Sequence, residues 1–516
     1  AADLFIAAFF LPKTDDSRET IPTTEHLVKA MNGELINDAI LEKVSETAKN
    51  IGFFHWYLNF SEVMSKGGFD CVLGNPPWET LQLDPREFFS SRLIEISNAP
   101  NMAERDKYIT KLQKNDSPLY SEYITQKKVI ESTRLYIHGS NRYPLTSFGR
   151  INLSSLFAEL SLNIIKKNSR AGLVLPTGIV TDSPTQYFCR SIFENNRVVS
   201  IFDFENRKGL FSNVHKALKF LLLTLCDKSK EADFVFFIDS INQLSDKRRH
   251  FKLTPQDTSL INPNTKTCPV FRSQKDAELT LSIYKRVPVL INEEIGCDGN
   301  PWNIKFQAMF MMNSDSYLFK TREDLIEIGA KSQGPNWLLP NGEKYIRLYE
   351  GKMFGLANHR SADVVKSAKA VKRQNQPSYL TEKELENPLR MAIPHYWVPE
   401  EEVRKRSPFL NNGWMIGVSK VTSPTNFRTF ISSILPEAGA GDSTLIMNSE
   451  FAYSNQGYSA ALIGCLNSIC FDYIARQKIG GLNMNFYLQK QLPVIPPSSF
   501  TKEDIQFISK RIKKIY

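Results

Sequence analysis

Gly68-Phe69-Asp70-Cys71-Val72-Leu73-Gly74-Asn75-Pro76-Pro77-Trp78-Glu79 is the stretch on which the fold turns. Residues 69–73 form a short, largely apolar run, stopped by Gly74 and then by two prolines that cannot continue a sheet ladder. The pattern predicts a buried strand followed at once by a stiff loop. In α/β sheets ligands gather at the carboxyl ends of strands, so that loop is where chemistry is expected.

Working outward, residues 24–50 read as polar helix, and residues 84–138 read as charged helix with few breakers. Leu156, Phe157, Leu160 and Ile164 recur at helical spacing and are assigned to one face. Residues 171–175, closed by Pro176, read as a strand, as do 198–204, 219–225 and 234–238. Strands alternating with helices predict an α/β core, a mostly parallel sheet with helices on both faces. Beyond residue 255 this rhythm gives way to aromatic segments punctuated by Gly and Pro, which predicts a separate α+β domain. The expected division is 1–255 and 256–516, with the boundary between 250 and 275.

Asn75-Pro76-Pro77-Trp78 carries a specific chemical possibility. An exocyclic amine such as that of adenine is conjugated with its ring, so its lone pair is a poor nucleophile. Two acceptors on its two hydrogens draw the nitrogen toward tetrahedral geometry and free that pair. The Asn75 side-chain oxygen and the carbonyl of the following proline can supply both. Each proline fixes its own φ and restricts its predecessor, which holds the loop in one extended shape. Trp78 offers a flat surface for the base, and a paired base must first be flipped out of the duplex. The plain alternative is a proline-stiffened turn with a packed tryptophan.

A chain of 516 residues is too long for one ordinary core, and 42% hydrophobic with 23% charged residues describes a globular protein. The net charge of +9 favours an anionic partner without naming it. Seven cysteines, scattered and without a CxxC pair, predict neither a metal site nor a disulfide framework, but buried free thiols in a reducing cytoplasm. No apolar run approaches bilayer length, so no membrane partner is expected. Ala1-Ala2-Asp3-Leu4-Phe5 lacks a basic leader and an initiator Met and begins in mid-pattern, and the expectation is a piece of something longer.

The run from Gly68 to Glu79 resembles the catalytic motif of gamma-class N6-adenine DNA methyltransferases, most of all the large type IIG restriction–modification and phage-defence methylases with a TaqI-like C-terminal specificity domain. Further motifs follow in the family's order. Asn152-Leu153-Ser154-Ser155-Leu156-Phe157-Ala158-Glu159 resembles the segment whose Phe packs on the cofactor's adenine, which implies that role for Phe157. Gly172-Leu173-Val174-Leu175-Pro176-Thr177 resembles the next strand. Leu210-Phe211-Ser212-Asn213-Val214-His215-Lys216 resembles the segment whose aromatic covers the far face of the flipped base, which implies that role for Phe211. Without the family, core packing is the reading for both phenylalanines, and His215 is positional rather than a general base. Leu348-Tyr349-Glu350-Gly351-Lys352-Met353, His359-Arg360, residues 394–399 and residues 472–481 are similar to the family's target-recognition region.

The resemblance implies a Rossmann-like, S-adenosylmethionine-dependent core followed by a DNA target-recognition domain, with Asn75, Pro76, Pro77 and Trp78 catalytic. It implies Trp78 and Phe211 on the base, and Asn75 and Phe157 at the cofactor. The core is N-terminally incomplete: nothing in residues 1–68 supplies the family's Gly-rich cofactor loop or its ribose-binding acid. Gly67-Gly68 is a turn. The chain by itself is expected to hold S-adenosylmethionine poorly and to be inactive alone. Double-stranded DNA is the expected partner, with other restriction or defence subunits possible.

Lys352, His359, Arg360, Arg428, Arg476 and Lys478 are the basic candidates for DNA, and an ordinary salt bridge or solvated charge is the alternative for each. Arg476 and Lys478 precede Gly480-Gly481, where a phosphate could approach the backbone. Tyr396 and Trp397 read as core, and Lys510, Arg511, Lys513 and Lys514 as a solvated helix face. Two rivals stand beside this reading. One is a protein glutamine-N5 methyltransferase using the same tetrapeptide; the other is a DNA-binding specificity module without activity of its own. Neither a Walker loop nor a carboxylate–lysine nuclease cluster is evident.

Overall fold

The computed structural model describes the chain except for residues 100, 101, 116, 213, 214, 217, 367–374, 408–412, 480 and 481. It is a mixed α/β structure of two compact units, Ala1–Pro255 and Gln256–Tyr516.

The first unit opens with helix Ala2–Phe10, whose Leu4 and Ala7 pack with Leu11, Ile40 and Val44. The single helix expected over 24–50 is two, Thr24–Met31 and Asp38–Ile51. Gly33, at φ +75°, interrupts them, and the Asn37 side chain caps the second through Ala39 N–H at 2.9 Å. The expected strand is present as β1, Phe69–Gly74, but it is not the buried strand expected: none of its residues is buried and Leu73 is 86% exposed, because among the described residues the strand lies at the edge of its sheet. Its entry demands glycine: Gly68 has φ +120°, and a Cβ there would lie 2.3 Å from the Ile164 carbonyl oxygen.

Four helices (Pro85–Phe89, Ile94–Ser97, Met102–Lys114 and Pro118–Gly139) fill the charged stretch after the loop. Helix Leu153–Ile164 then leads straight into β2, Ile165–Pro176, followed by β3, Val198–Glu205, β4, Lys219–Cys226, and β5, Asp233–Ile238. The sheet order is β1-β2-β4-β3-β5. Ala171, Leu173 and Leu175 alternate into the core along β2, as period two requires.

The sheet is mostly parallel, as expected: β1, β2, β3 and β5 run in one direction, and β4 alone runs antiparallel, between β2 and β3. Among the described residues only the short helical turn Asn206–Lys208 lies between β3 and β4, too little for a parallel crossover, and the chain returns antiparallel. One expectation needs correction: Phe157 leaves the face shared by Leu156 and Ile164 and stands 40% exposed, because one residue along a helix turns the side chain by about 100°.

The second unit holds β6, Ile304–Gln307; β7, Lys331–Gln333; β8, Asn336–Leu338; β9, Lys344–Tyr349; β10, Ala362–Lys366; and β11, Asn375–Tyr379. It continues with β12, Trp397–Pro399; β13, Trp414–Ser419; β14, Ser432–Pro436; β15, Gly439–Ala440; and β16, Thr444–Ser449. One sheet runs β14-β13-β16-β6, a second β12-β9-β8-β7 with β15 against β9, and β10-β11 is a separate hairpin. Phe310, Leu348, Tyr349, Met353, Val398 and Met415 belong to the core between them. Trp397 is buried and Tyr396 packs on this core, as expected.

Cys189, Cys226 and Cys268 are buried thiols, but Cys71, Cys297 and Cys470 are exposed, against the expectation for all seven. Cys71 shares a face of β1 with Leu73, which is 86% exposed, so that face of the strand is uncovered there. Among those residues no single helix is long and apolar enough to cross a membrane.

Candidate functional site

β1 ends at Gly74 and delivers Asn75 to the carboxyl end of the sheet, where the prolines turn the chain away. Asn75 is exposed, and among the described residues its side chain makes no hydrogen bond. An exposed amide with both ends unsatisfied is available to a ligand.

The loop behind it is held firmly. Trp78 is half-buried; its Nε1–H donates to the Val174 carbonyl of β2 at 3.2 Å, and its ring packs on a cluster containing Phe204, Phe220, Val235 and Ile238. Its carbonyl accepts from Asn152 Nδ2 at 3.0 Å, while Asn152 Oδ1 accepts from Ser154 N–H at 2.9 Å and so caps helix Leu153–Ile164. Leu153 N–H donates to the Glu79 carbonyl at 3.0 Å and Leu81 N–H to the Ile151 carbonyl at 2.9 Å. Residues 78–81 are thereby zipped to 151–153. Asn152 acts as a clamp that its place in a motif did not announce.

Phe211 is tied to the same aromatic cluster. Its ring meets Phe220 edge-on at 5.0 Å, and Phe220 stacks on Phe204 at 5.1 Å. Asn206, fully buried, donates from Nδ2 to the Phe211 carbonyl and accepts at Oδ1 from Phe211 N–H, each at 3.0 Å. Phe211 itself remains 44% exposed. Trp78 and Phe211 are thus both seated on the Phe204–Phe220 cluster. Asn213 and Val214 of the Phe211 motif lie outside the described residues.

Beneath the site, Asp203 of β3 joins three segments. It accepts from Thr177 Oγ1, just after β2, and from Phe237 N–H of β5 at 3.3 Å. Burial pushes its carboxyl up to about 6, against the pull of those two donors and of Lys219. Phe237 sits at φ +60°, a conformation unusual for a bulky residue, and Lys219 lies over its ring at 5.0 Å. Glu159, also buried, accepts from Thr146 Oγ1 at 2.6 Å and Leu145 N–H at 3.1 Å, and burial raises its carboxyl too.

In the second unit, each basic residue singled out from the sequence already has internal work. Lys352 Nζ lies 2.9 Å from Glu350 and donates to the Asn375 carbonyl at 2.9 Å. His359 is 3.5 Å from the Tyr349 hydroxyl, and burial, with Arg347 and Arg360 nearby, holds its pKa below the ordinary histidine value. Arg360 binds the carbonyls of Asn387, Arg390 and Leu385. Arg428 donates to the Asn467 carbonyl at 2.8 Å. Arg476 gathers the carbonyls of Pro424, Asn426 and Phe427 and pairs with Asp472 at 3.1 Å. The Lys478 ammonium donates to the Ile261 carbonyl at 2.6 Å and to Asn262, and burial holds its pKa well below the usual lysine value. Gly480 and Gly481 lie outside the described residues.

Residues 7–133, which contain β1 and the Asn75 loop, match the family model described as Eco57I restriction-modification methylase. Among curated proteins, no sequence matches the chain. Among solved structures, the chain is similar to the type IIG restriction endonuclease BpuSI, at 11% identity over 74% of this chain and 46% of that one, with a TM-score of 0.27. It is similar to the ATP-dependent type ISP restriction-modification enzyme LlaBIII bound to DNA, at 11% identity over 93% and 31% of the two chains, with a TM-score of 0.38. It is similar also to DrdV in a DNA complex, at 10% identity over 89% and 45%, with a TM-score of 0.38. The chain spans less than half the length of each of these proteins.

Proposed function

We propose that the chain acts as a site-specific DNA adenine-N6 methyltransferase of a restriction–modification or phage-defence system, with a Rossmann-like catalytic domain over 1–255 and a target-recognition domain over 256–516. The observation that carries this reading is the exposed, unbonded amide of Asn75 on a proline-stiffened loop whose rear is clamped by Trp78 and Asn152. Asn75 Oδ1 and the Pro76 carbonyl accept the two adenine amino hydrogens, Pro77 keeps that carbonyl in place, and the released proton passes to solvent. Trp78 and Phe211 sandwich the flipped base. A loop fixed before the base arrives holds its acceptors where charge develops in the transition state.

S-adenosylmethionine supplies the methyl group when bound. Phe157, with its exposed ring, lines the cofactor's adenine pocket, and Asn75 borders the methyl donor. These residues fit one side of such a site. Residues 1–68 hold no Gly-rich loop, and β1 is paired only with β2 among the described residues. The 516 residues alone hold the cofactor weakly. That same feature favours the second reading, a DNA-binding specificity module without activity. Lys352, His359, Arg360, Arg428, Arg476 and Lys478 shape the recognition surface, and any DNA contact they make uses donors left over from the internal bonds.

The test is transfer of radiolabelled methyl from S-adenosylmethionine to unmodified genomic DNA. It compares this chain, the full-length polypeptide encoded by its gene, and that polypeptide carrying Asn75→Ala. Label on DNA adenine from the full-length wild type alone upholds the proposal. Label on protein glutamine, or DNA binding with no label at all, replaces it with one of the two rivals.

A further inference from the structure

Phe427 is 96% exposed, on a loop tied down at its base and across its interior. Residues 420–430, Lys-Val-Thr-Ser-Pro-Thr-Asn-Phe-Arg-Thr-Phe, contain two cations and no carboxylate. At the loop's base, Thr422 Oγ1 donates to the Thr429 carbonyl at 2.6 Å, and Asp472 Oδ1 accepts from Thr429 and Phe430 N–H, both at 2.8 Å. On one side Thr422 N–H donates to the Leu482 carbonyl at 3.0 Å and Met484 N–H to the Lys420 carbonyl at 2.7 Å. Inside the loop, Arg476 collects the carbonyls of Pro424, Asn426 and Phe427 at 2.6, 3.0 and 3.1 Å.

We propose that Phe427 is a wedge that enters the base stack of duplex DNA, with Arg476 as the residue that positions it. The proposal rests on the reading of the chain as a DNA-modifying enzyme. A single ring held clear of the protein on a rigid loop has surrendered its backbone freedom before binding, so insertion costs no further ordering of the loop. Apolar wedges of this kind unstack a base step and kink the duplex. The composition suits a polyanion: Arg476 satisfies three of the loop's carbonyls, and the loop itself carries Lys420 and Arg428 with no carboxylate. Val421 and Leu482, both exposed, give the ring apolar shoulders that can follow it toward a groove.

The experiment measures binding of the chain to a labelled random-sequence duplex across a salt series, for wild type, Phe427→Ala, Phe427→Trp and Arg428→Ala. Removing the wedge is expected to weaken binding about 10- to 100-fold, the usual effect of losing one base–aromatic stack. The slope of log Kd against log salt is expected to stay unchanged, since no phosphate contact is lost. Phe427→Trp keeps the affinity. Plasmid relaxed by topoisomerase in the presence of wild type shows a changed linking number that Phe427→Ala abolishes. Wild-type affinity in Phe427→Ala overturns the wedge while leaving DNA binding intact. No duplex binding by wild type overturns both the wedge and the DNA reading. A DNA-independent dimer that Phe427→Ala dissolves assigns the ring to a protein contact and overturns the wedge as well.

Discussion

The side chain of Asn206 holds both backbone groups of Phe211, its Nδ2 donating to the carbonyl and its Oδ1 accepting from the N–H, each at 3.0 Å. A fully buried amide that grips both backbone groups of a neighbour fixes where an exposed ring stands. It leaves the ring itself free for a ligand.

Asn206→Ala removes both bonds and leaves a polar gap in the interior. The expected loss of stability is about 1–3 kcal/mol, read as a lowered urea midpoint. Phe211→Ala, which truncates a half-exposed ring, is expected to shift that midpoint less. A larger shift for Phe211→Ala would mean that the ring supports the fold rather than a ligand.

In the full-length polypeptide Asn75→Ala is expected to abolish methyl transfer with the unfolding midpoint nearly unchanged, because the amide is exposed and bonded to no described residue. Activity of the wild-type order in that variant would remove the two-acceptor mechanism.

Trp78 has two separable duties. Trp78→Phe keeps an aromatic face but loses the bond to the Val174 carbonyl, with an expected cost of about 0.5–1.5 kcal/mol in stability. Trp78→Ala loses the base platform too, and binding of a duplex with a mismatched, easily flipped adenine should weaken by about 1–3 kcal/mol. Equal affinity for that duplex in wild type and Trp78→Ala would leave the indole with only its structural duty.

Asp203 gives the molecule a pH dependence whose sign is fixed by its raised carboxyl. Its folded pKa, about 6, stands above the ordinary aspartate value, so the native state holds the proton more tightly than the unfolded chain. That contribution is fully present below about pH 4 and is lost as pH rises toward 6. Asp203→Asn, which cannot ionise, should flatten urea midpoints between pH 4 and 6 relative to wild type. Parallel profiles for the two proteins would show that Asp203 titrates normally.

The sequence by itself determined what is local. The strand at 69–73, the stop at two prolines, the strands near 171, 198, 219 and 234, and the acceptors on Asn75 and Pro76 are consequences of residue type and short-range spacing. Periodicity and proline geometry act within a few residues, so they are legible without a fold. Tertiary structure alone decided the rest. The antiparallel course of β4, the turning out of Phe157 and the one-sided pairing of β1 depend on which strands meet. Trp78 is anchored by Val174 and Asn152, and Lys478 is buried against Ile261, across separations of 96, 74 and 217 residues. Arg476 looked like a phosphate ligand because its charge is visible in sequence. The three carbonyls that occupy it, and the phenylalanine they carry into solvent, belong to a loop some fifty residues away. Hydrogen bonds between distant segments form only once the chain has folded, and no local pattern encodes them.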